Sequence, residues 1–350
     1  MPDSSAGKQQ DAKAEFEFPI DNNPHTNYRH QEPWTALALD NLHGFAIQLA
    51  CAGGSGAIAK TAVAPLERVK ILLQVQQMSS LPQQQQYKGL WDALRRIPSR
   101  EGGIAALYRG NGANVARLLP DVGFKFAVHD QFKLMFTPPD GSPLGVQEKM
   151  AAGAATGILR TLMFYPLDFS RTRLTADTTP AGQQRPFAGV ASCLRHAWHQ
   201  RGLRAWYQGM GMSLPGVVVY TSISFTAYDS LKQQLPADKA SKEQWWYPFA
   251  KIGCGAAAGI AAQTASYPLD TLRRRLQVNG APGTSLQYKG YLHCLRHMAQ
   301  HKEGLLRQLF RGWGINCLKT APGAAVQFVA YDLLRLAVTS IDPAGAVSPL

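Results

Sequence analysis

The sequence lacks most of the parts that catalytic chemistry requires. Its 350 residues include five cysteines, Cys51, Cys193, Cys254, Cys294 and Cys317, with no CxxC pair and no histidine at metal-ligand spacing. That excludes a zinc ribbon or a disulfide framework and leaves reduced, buried thiols as the expectation. There is no Gly-Lys-Ser/Thr loop to cradle phosphates, no nucleophile beside a base at useful spacing, and no D-x-[DN]-x-[DN]-G calcium loop. An enzyme is therefore not indicated, and no cofactor or metal is expected. The first forty residues are polar, mixed in charge and poor in arginine, unlike a cleavable signal or transit peptide, so residues 1–42 are expected to form a disordered tail.

Acidic residues are also scarce. Asp plus Glu number 23 against 36 Lys plus Arg, a formal net charge of +13, which calls for an anionic partner: nucleic acid, anionic lipid or an acidic substrate. Long apolar runs are few, and the mean hydropathy is −0.17. Two stretches, residues 209–228 and 252–269, carry no charge and approach the roughly 20 apolar residues that a membrane span needs.

What the chain does have is repetition. Ala64-Pro65-Leu66-Glu67, Tyr165-Pro166-Leu167-Asp168 and Tyr267-Pro268-Leu269-Asp270 recur at intervals of 101 and 102 residues. About forty residues after each proline comes an aromatic-x-Gly mark, Tyr108-Arg109-Gly110, Tyr207-Gln208-Gly209 and Phe310-Arg311-Gly312. A third mark follows, Asp130 with Lys133, Asp229 with Lys232, and Asp332 with Arg335. Three marks repeated in the same order imply three similar units, expected over 43–137, 145–236 and 246–339.

In each unit the segment before the proline carries small residues four apart, Ala52/Gly56, Gly153/Gly157 and Gly255/Gly259, the pattern by which membrane helices approach closely. A second apolar segment follows each aromatic-x-Gly mark. This gives six spans joined by amphipathic stretches near 90–97, 190–198 and 291–298, which are expected to lie along the membrane surface. The reading is an all-α membrane protein with two spans per repeat. A soluble nucleic-acid-binding protein would account for the charge but not for the triplicated proline marks, so no nucleic-acid partner is expected.

Each proline should bend its helix near the end. Just beyond come an acid and, three residues on, a base: Glu67 and Lys70, Asp168 and Arg171, Asp270 and Arg273. Around a three-fold axis these can pair as Glu67 with Arg171, Asp168 with Arg273 and Asp270 with Lys70, a breakable ring. Gln74 and Gln277 are placed to brace it. The second set, Asp130, Lys133, Asp229, Lys232, Asp332 and Arg335, falls at the far ends of the even spans and would form a gate on the opposite side. Two gates imply alternating access.

These marks resemble the mitochondrial carrier signature, P-x-[DE]-x-x-[KR] followed by an acidic-Gly pair and aromatic-basic-Gly. The resemblance covers roughly residues 43 to 337 and is looser in the second repeat, where Arg201-Gly202 and Gln208 depart from it. It implies six transmembrane helices in three pseudo-symmetric repeats with short matrix-side surface helices, the first gate facing the matrix and the second the cytoplasm. The runs around Lys60, Tyr165 and Gly216 resemble those of ADP/ATP carriers. By that likeness Lys60, Arg117, Lys319 and Arg274 would contact phosphates, and Gly216, Val217 and Tyr220 would form a face for the adenine. Asp121 and Lys125 look more like ATP-Mg/phosphate carriers, with Lys125 a further substrate contact, and Arg160 is an additional cation that could line the cavity or serve packing. Arg273-Arg274-Arg275-Leu276-Gln277-Val278 stands where ADP/ATP carriers have three arginines and three methionines. The resemblance thus implies a monomeric antiporter of ADP and ATP in the mitochondrial inner membrane, with another organelle membrane as the alternative, in contact with an anionic lipid such as cardiolipin. Other phosphorylated substrates, ATP-Mg/phosphate or coenzyme A, remain open, as does a non-transporting scaffold or proton leak.

Overall fold

The computed structural model describes residues 34–136, 146–236 and 246–341, and the described part is helical. The expected tail lies outside the described residues up to residue 33. Six long helices form a closed ring: α1 (Trp34–Val75), then α3 (Asn111–Phe136), α4 (Val146–Thr175), α6 (Met210–Gln233), α7 (Tyr247–Val278) and α9 (Trp313–Ile341), each packed on its two neighbours. Three shorter helices, α2 (Leu90–Glu101), α5 (Val190–Arg201) and α8 (Tyr291–Gln300), link the odd member of each pair to the even one. Pro65, Pro166 and Pro268 lie inside α1, α4 and α7, which run through them as helix.

Among the described residues one stretch, Leu203–Gln233, is by itself long and apolar enough to cross a membrane, with a mean hydropathy of 1.2. Residues 252–269 are uncharged but rich in glycine and alanine, which contribute little hydropathy. On α9, Val329, Leu333 and Leu336 are 60%, 61% and 67% exposed. Their spacing places them on one stripe of the helix, the kind of face that lipid rather than water would cover.

Small residues set the helix contacts, though not in one register. A side chain at Gly56 would meet Leu118 of α3, and one at Gly157 would meet Val217 of α6. No side chain approaches the corresponding positions of Gly255 and Gly259; in that repeat the buried pair is Ala258 and Ala262. The connecting helices bury pairs four apart: Ala93/Ile97, Cys193/Ala197 and Cys294/Met298. Cys51, Cys193 and Cys294 are buried free thiols, while Cys254 and Cys317 are half-buried. Burial pushes Cys193 and Cys294 up to about 11.

The three aromatic-x-Gly marks turn the chain into the even helices. Gly110, Gly209 and Gly312 have φ of 84°, 91° and 84°, a left-handed conformation that L side chains rarely adopt. Each also sits against the end of an odd helix: a Cβ on Gly110 would meet Thr175, on Gly209 the Arg273 carbonyl, and on Gly312 the Lys70 carbonyl and Tyr267. Tyr207 stacks on Tyr165 at 6.0 Å and Phe310 on Tyr267 at 6.1 Å. In the first repeat Ala64 stands in place of that tyrosine, and Tyr108 is left 39% exposed.

Arginines close the carboxyl ends of the odd helices in a cycle. Arg68 of α1 donates to the Asp177 carbonyl beyond α4, Arg173 of α4 to the Gln277 carbonyl of α7 and the Asn279 carbonyl just beyond it, and Arg275 of α7 to the Gln74 carbonyl of α1. A helix leaves its last four carbonyls unpaired and carries partial negative charge there, so a guanidinium satisfies both needs at once. Arg173 and Arg275 occupy matching positions, seven residues after the proline; the first repeat has Leu72 there, and Arg68, four residues earlier, does the work.

Arg275→Ala is expected to leave the α1 end open and to lower stability by about 3 kcal/mol, read as a lower unfolding temperature of the detergent-purified protein. Gly110→Ala, which combines a left-handed φ with a collision against Thr175, is expected to cost at least about 2 kcal/mol in the same assay.

Candidate functional site

At the proline end of the bundle the acids and bases meet around the ring. Lys70 Nζ donates to Asp270 at 2.7 Å, Arg171 lies 2.6 Å from Glu67, and Arg273 donates to Asp168 at 2.9 Å. Each bond crosses from one odd helix to another, so the three together tie α1, α4 and α7 into a closed triangle. Their side chains are between 7% and 25% exposed, which strengthens each pair relative to one in open water.

Each of the three acids also holds a second cation. Lys319 of α9 lies 3.4 Å from Glu67, Arg117 of α3 contacts Asp168, and Arg274 lies 3.4 Å from Asp270 on its own helix. Arg117 and Lys319 each stand seven residues after the glycine of their mark; the corresponding residue of α6 is Gly216. Where α6 has no cation, Arg274 of the neighbouring helix serves that acid. Lys60 is half-buried on α1 and interacts electrostatically with Glu67, Lys319, Arg171 and Arg117. Lys60, Arg117, Lys319 and Arg274 are thus brought together around the acids of the ring.

The two glutamines sit between helices next to this cluster. Gln74 donates to Thr271 at 3.2 Å and to Asp270 at 3.5 Å, joining α1 to α7. Gln277 accepts from Thr172 at 2.8 Å and from Arg274 at 3.2 Å, joining α7 to α4. Thr172, which was not picked out from sequence, also accepts from Arg274 at 2.6 Å.

The apolar trio is divided. Gly216 faces Leu269 of α7, where an added Cβ would find ordinary contact at 3.8 Å, and Val217 lies over Gly157 of α4, so both occupy helix seams. Tyr220, four residues after Gly216, is 41% exposed.

Among the described residues the second acid–base set is not drawn together: no ion pair joins Asp229, Lys232, Asp332 and Arg335, and Asp229 and Asp332 are exposed. The side chains of Lys125, Asp130 and Lys133 lie outside the described part.

Sequence reasoning also passed over a buried network behind the ring. Glu101 accepts from Arg68 at 2.6 Å and lies 2.8 Å from Arg109. Burial pushes the Glu101 carboxyl up, against the pull of both guanidinium groups. Glu303 and Arg311 make the matching pair in the third repeat at 3.2 Å. These are the acid of the acidic-Gly pair and the base of aromatic-basic-Gly. In the second repeat Arg201 and Gln208 replace both at once, so neither partner is left behind. The signal was in the motif itself: two departures, 35 and 42 residues after Pro166, that make sense only as a pair.

Comparison with known proteins agrees with this three-fold construction. Residues 42–140, 142–239 and 244–341 each match the family described as mitochondrial carrier protein. Among curated proteins, ADP/ATP translocase 2 of Rattus norvegicus is 37% identical over 308 residues, covering 85% of this chain and 98% of its own length. ADP/ATP translocase 4 of Homo sapiens is 37% identical over 320 residues, covering 87% and 96%. Mitochondrial carrier protein CoAc1 of Zea mays is 34% identical over 328 residues, covering 88% and 91%.

Asp270→Asn would leave Lys70 and Arg274 without their counter-charge and is expected to cost about 3–5 kcal/mol, measured by thermal unfolding. Lys70→Met in the same chain should restore part of that loss, because removing both members of a buried pair leaves less uncompensated charge than removing one.

Proposed function

Because the chain belongs to the mitochondrial carrier family and is a transporter rather than an enzyme, we propose that it exchanges adenine nucleotides, ADP and ATP, across the mitochondrial inner membrane by alternating access. The observation that carries this reading is the charge of the cluster at the ring. Glu67, Asp168, Asp270 and Asp121 face Lys60, Lys70, Arg117, Arg160, Arg171, Arg273, Arg274 and Lys319, four acids against eight bases. Charges inside a membrane are costly unless they are paired or meet a ligand. An excess of four positive charges matches a nucleotide carrying about three or four negative ones.

In this reading Lys60, Arg117, Lys319 and Arg274 receive the phosphates, with Lys125 a further contact, and Tyr220 lies against the base beside Gly216 and Val217. The acid–base ring is the matrix gate, braced by Gln74 and Gln277, and the present state is closed there. Asp130, Lys133, Asp229, Lys232, Asp332 and Arg335 form the cytoplasmic gate. Charge-assisted bonds contribute about 1.5–3 kcal/mol each, so opening the ring costs roughly 5–9 kcal/mol. A micromolar ligand supplies about 8 kcal/mol, and re-pairing at the second gate offsets the rest. A ring of this strength opens when substrate favours the opened state and stays shut otherwise. The protein acts as a monomer, with the three units from 43–137, 145–236 and 246–339 moving around one axis, in contact with an anionic lipid such as cardiolipin.

A second reading is another phosphorylated nucleotide, such as coenzyme A or ATP-Mg in exchange for phosphate. It is favoured by Gly216 and Val217 lying in helix seams and by Asp121 among the cations.

Uptake of labelled ATP into liposomes containing the purified protein is expected to saturate, to require internal ADP, and to fall at least about a hundredfold in Arg117→Ala/Lys319→Ala. Uptake driven equally well by internal coenzyme A or phosphate as by ADP would favour the second reading, and no uptake with any of them would refute both.

A further inference from the structure

One buried charge cluster belongs to neither gate. Asp121, one turn beyond Arg117 on α3, is 6% exposed. Both of its carboxylate oxygens accept from the fork of Arg160 on α4, and it also accepts from Arg117 at 3.3 Å. The Arg160 side chain remains 38% exposed, so the acid is the covered member and the arginine the accessible one. A carboxylate among cations opposes the purpose of an anion site. It holds two guanidinium groups in the geometry that they would otherwise offer to phosphate.

We propose that Asp121 is a specificity-determining residue that sets the charge an anion must carry to bind at the ring. This rests on Arg117 being a phosphate contact, as proposed above. Asp121 reduces the excess of positive charge by one and occupies Arg117 and Arg160 until a ligand takes them. A single phosphate group exchanges one anion for another with little gain. A chain of phosphates engages Arg117 and Arg160 together and gains by it. The cations at the ring therefore rank anions by the number of their phosphate groups, and Asp121 sets the threshold.

The test uses probes that carry no base. Dissociation constants of the detergent-purified full chain for orthophosphate, pyrophosphate and tripolyphosphate are measured by calorimetry in the wild type, Asp121→Asn and Arg160→Gln. Asp121→Asn frees both guanidinium groups without a competing carboxylate and is expected to tighten orthophosphate about tenfold and tripolyphosphate by less than about threefold, narrowing the ratio between them. Arg160→Gln is expected to weaken tripolyphosphate by about tenfold and flatten the series. If either variant that folds keeps the wild-type ratio between tripolyphosphate and orthophosphate, with only a lower unfolding temperature, the pair is a brace between α3 and α4 and the proposal is overturned. Absence of binding of all three anions to wild type overturns it as well. A wild type that fails to exchange nucleotides yet shows the Asp121-dependent ratio refutes the adenine nucleotide reading alone.

Discussion

An unpaired charge inside a helical bundle surrounded by lipid costs several kcal/mol, and the closed end of this one meets that constraint group by group. Glu67, Asp168 and Asp270 are each held between two cations. Arg68, Arg173 and Arg275 satisfy helix ends that would otherwise present bare carbonyls to the interior. The remaining imbalance is all of one sign. Cations outnumber acids, and this state is tolerable because each surplus cation leans on an acid that already has a partner.

The same constraint explains how the three repeats depart from one another. Where the second repeat loses the acid of its acidic-Gly pair, it also loses the base seven residues on, at Arg201 and Gln208. Where the first repeat has Leu72 at a capping position, Arg68 reaches the same helix end from one turn earlier. Where α6 has Gly216 at the position of Arg117 and Lys319, Arg274 supplies Asp270 from its own helix. In the last two cases the charge is kept though the residue position is not; in the first the pair is given up, and Arg201 stands exposed to solvent. Asymmetry of this kind costs the fold little and gives each third of the cluster its own chemistry.

The proposed phosphate contacts and the acid–base ring share side chains. Arg117 and Lys319 rest on ring acids in this state, so a ligand that draws them away changes the surroundings of Asp168 and Glu67 directly, with no intervening element. That economy follows from geometry: seven residues, two helical turns, separate each cation from the glycine at the start of its helix, and those glycines are pressed against the odd helices that carry the ring.

The repeat, the six spans, the surface helices and the three ring partners were legible in the sequence, because a motif written three times reveals its own period and a cyclic axis leaves few ways to join acid to base. Of the five cysteines expected to be buried, Cys51, Cys193 and Cys294 are, while Cys254 and Cys317 are half-buried. Contacts that depend on which face of a helix meets which neighbour were not legible. Gly255 and Gly259 have the expected spacing, yet Ala258 and Ala262 form the seam, and Val217 packs on Gly157, because a rotation of less than half a turn decides these outcomes. Arg160 stood as an isolated cation until the fold brought α3 beside α4 and set it on Asp121. The sequence by itself determined the period, the membrane character and the pairing rule. Only the tertiary structure decided which cations rest on which acids, since residues four apart share a helix face but residues forty or two hundred apart become neighbours only through packing.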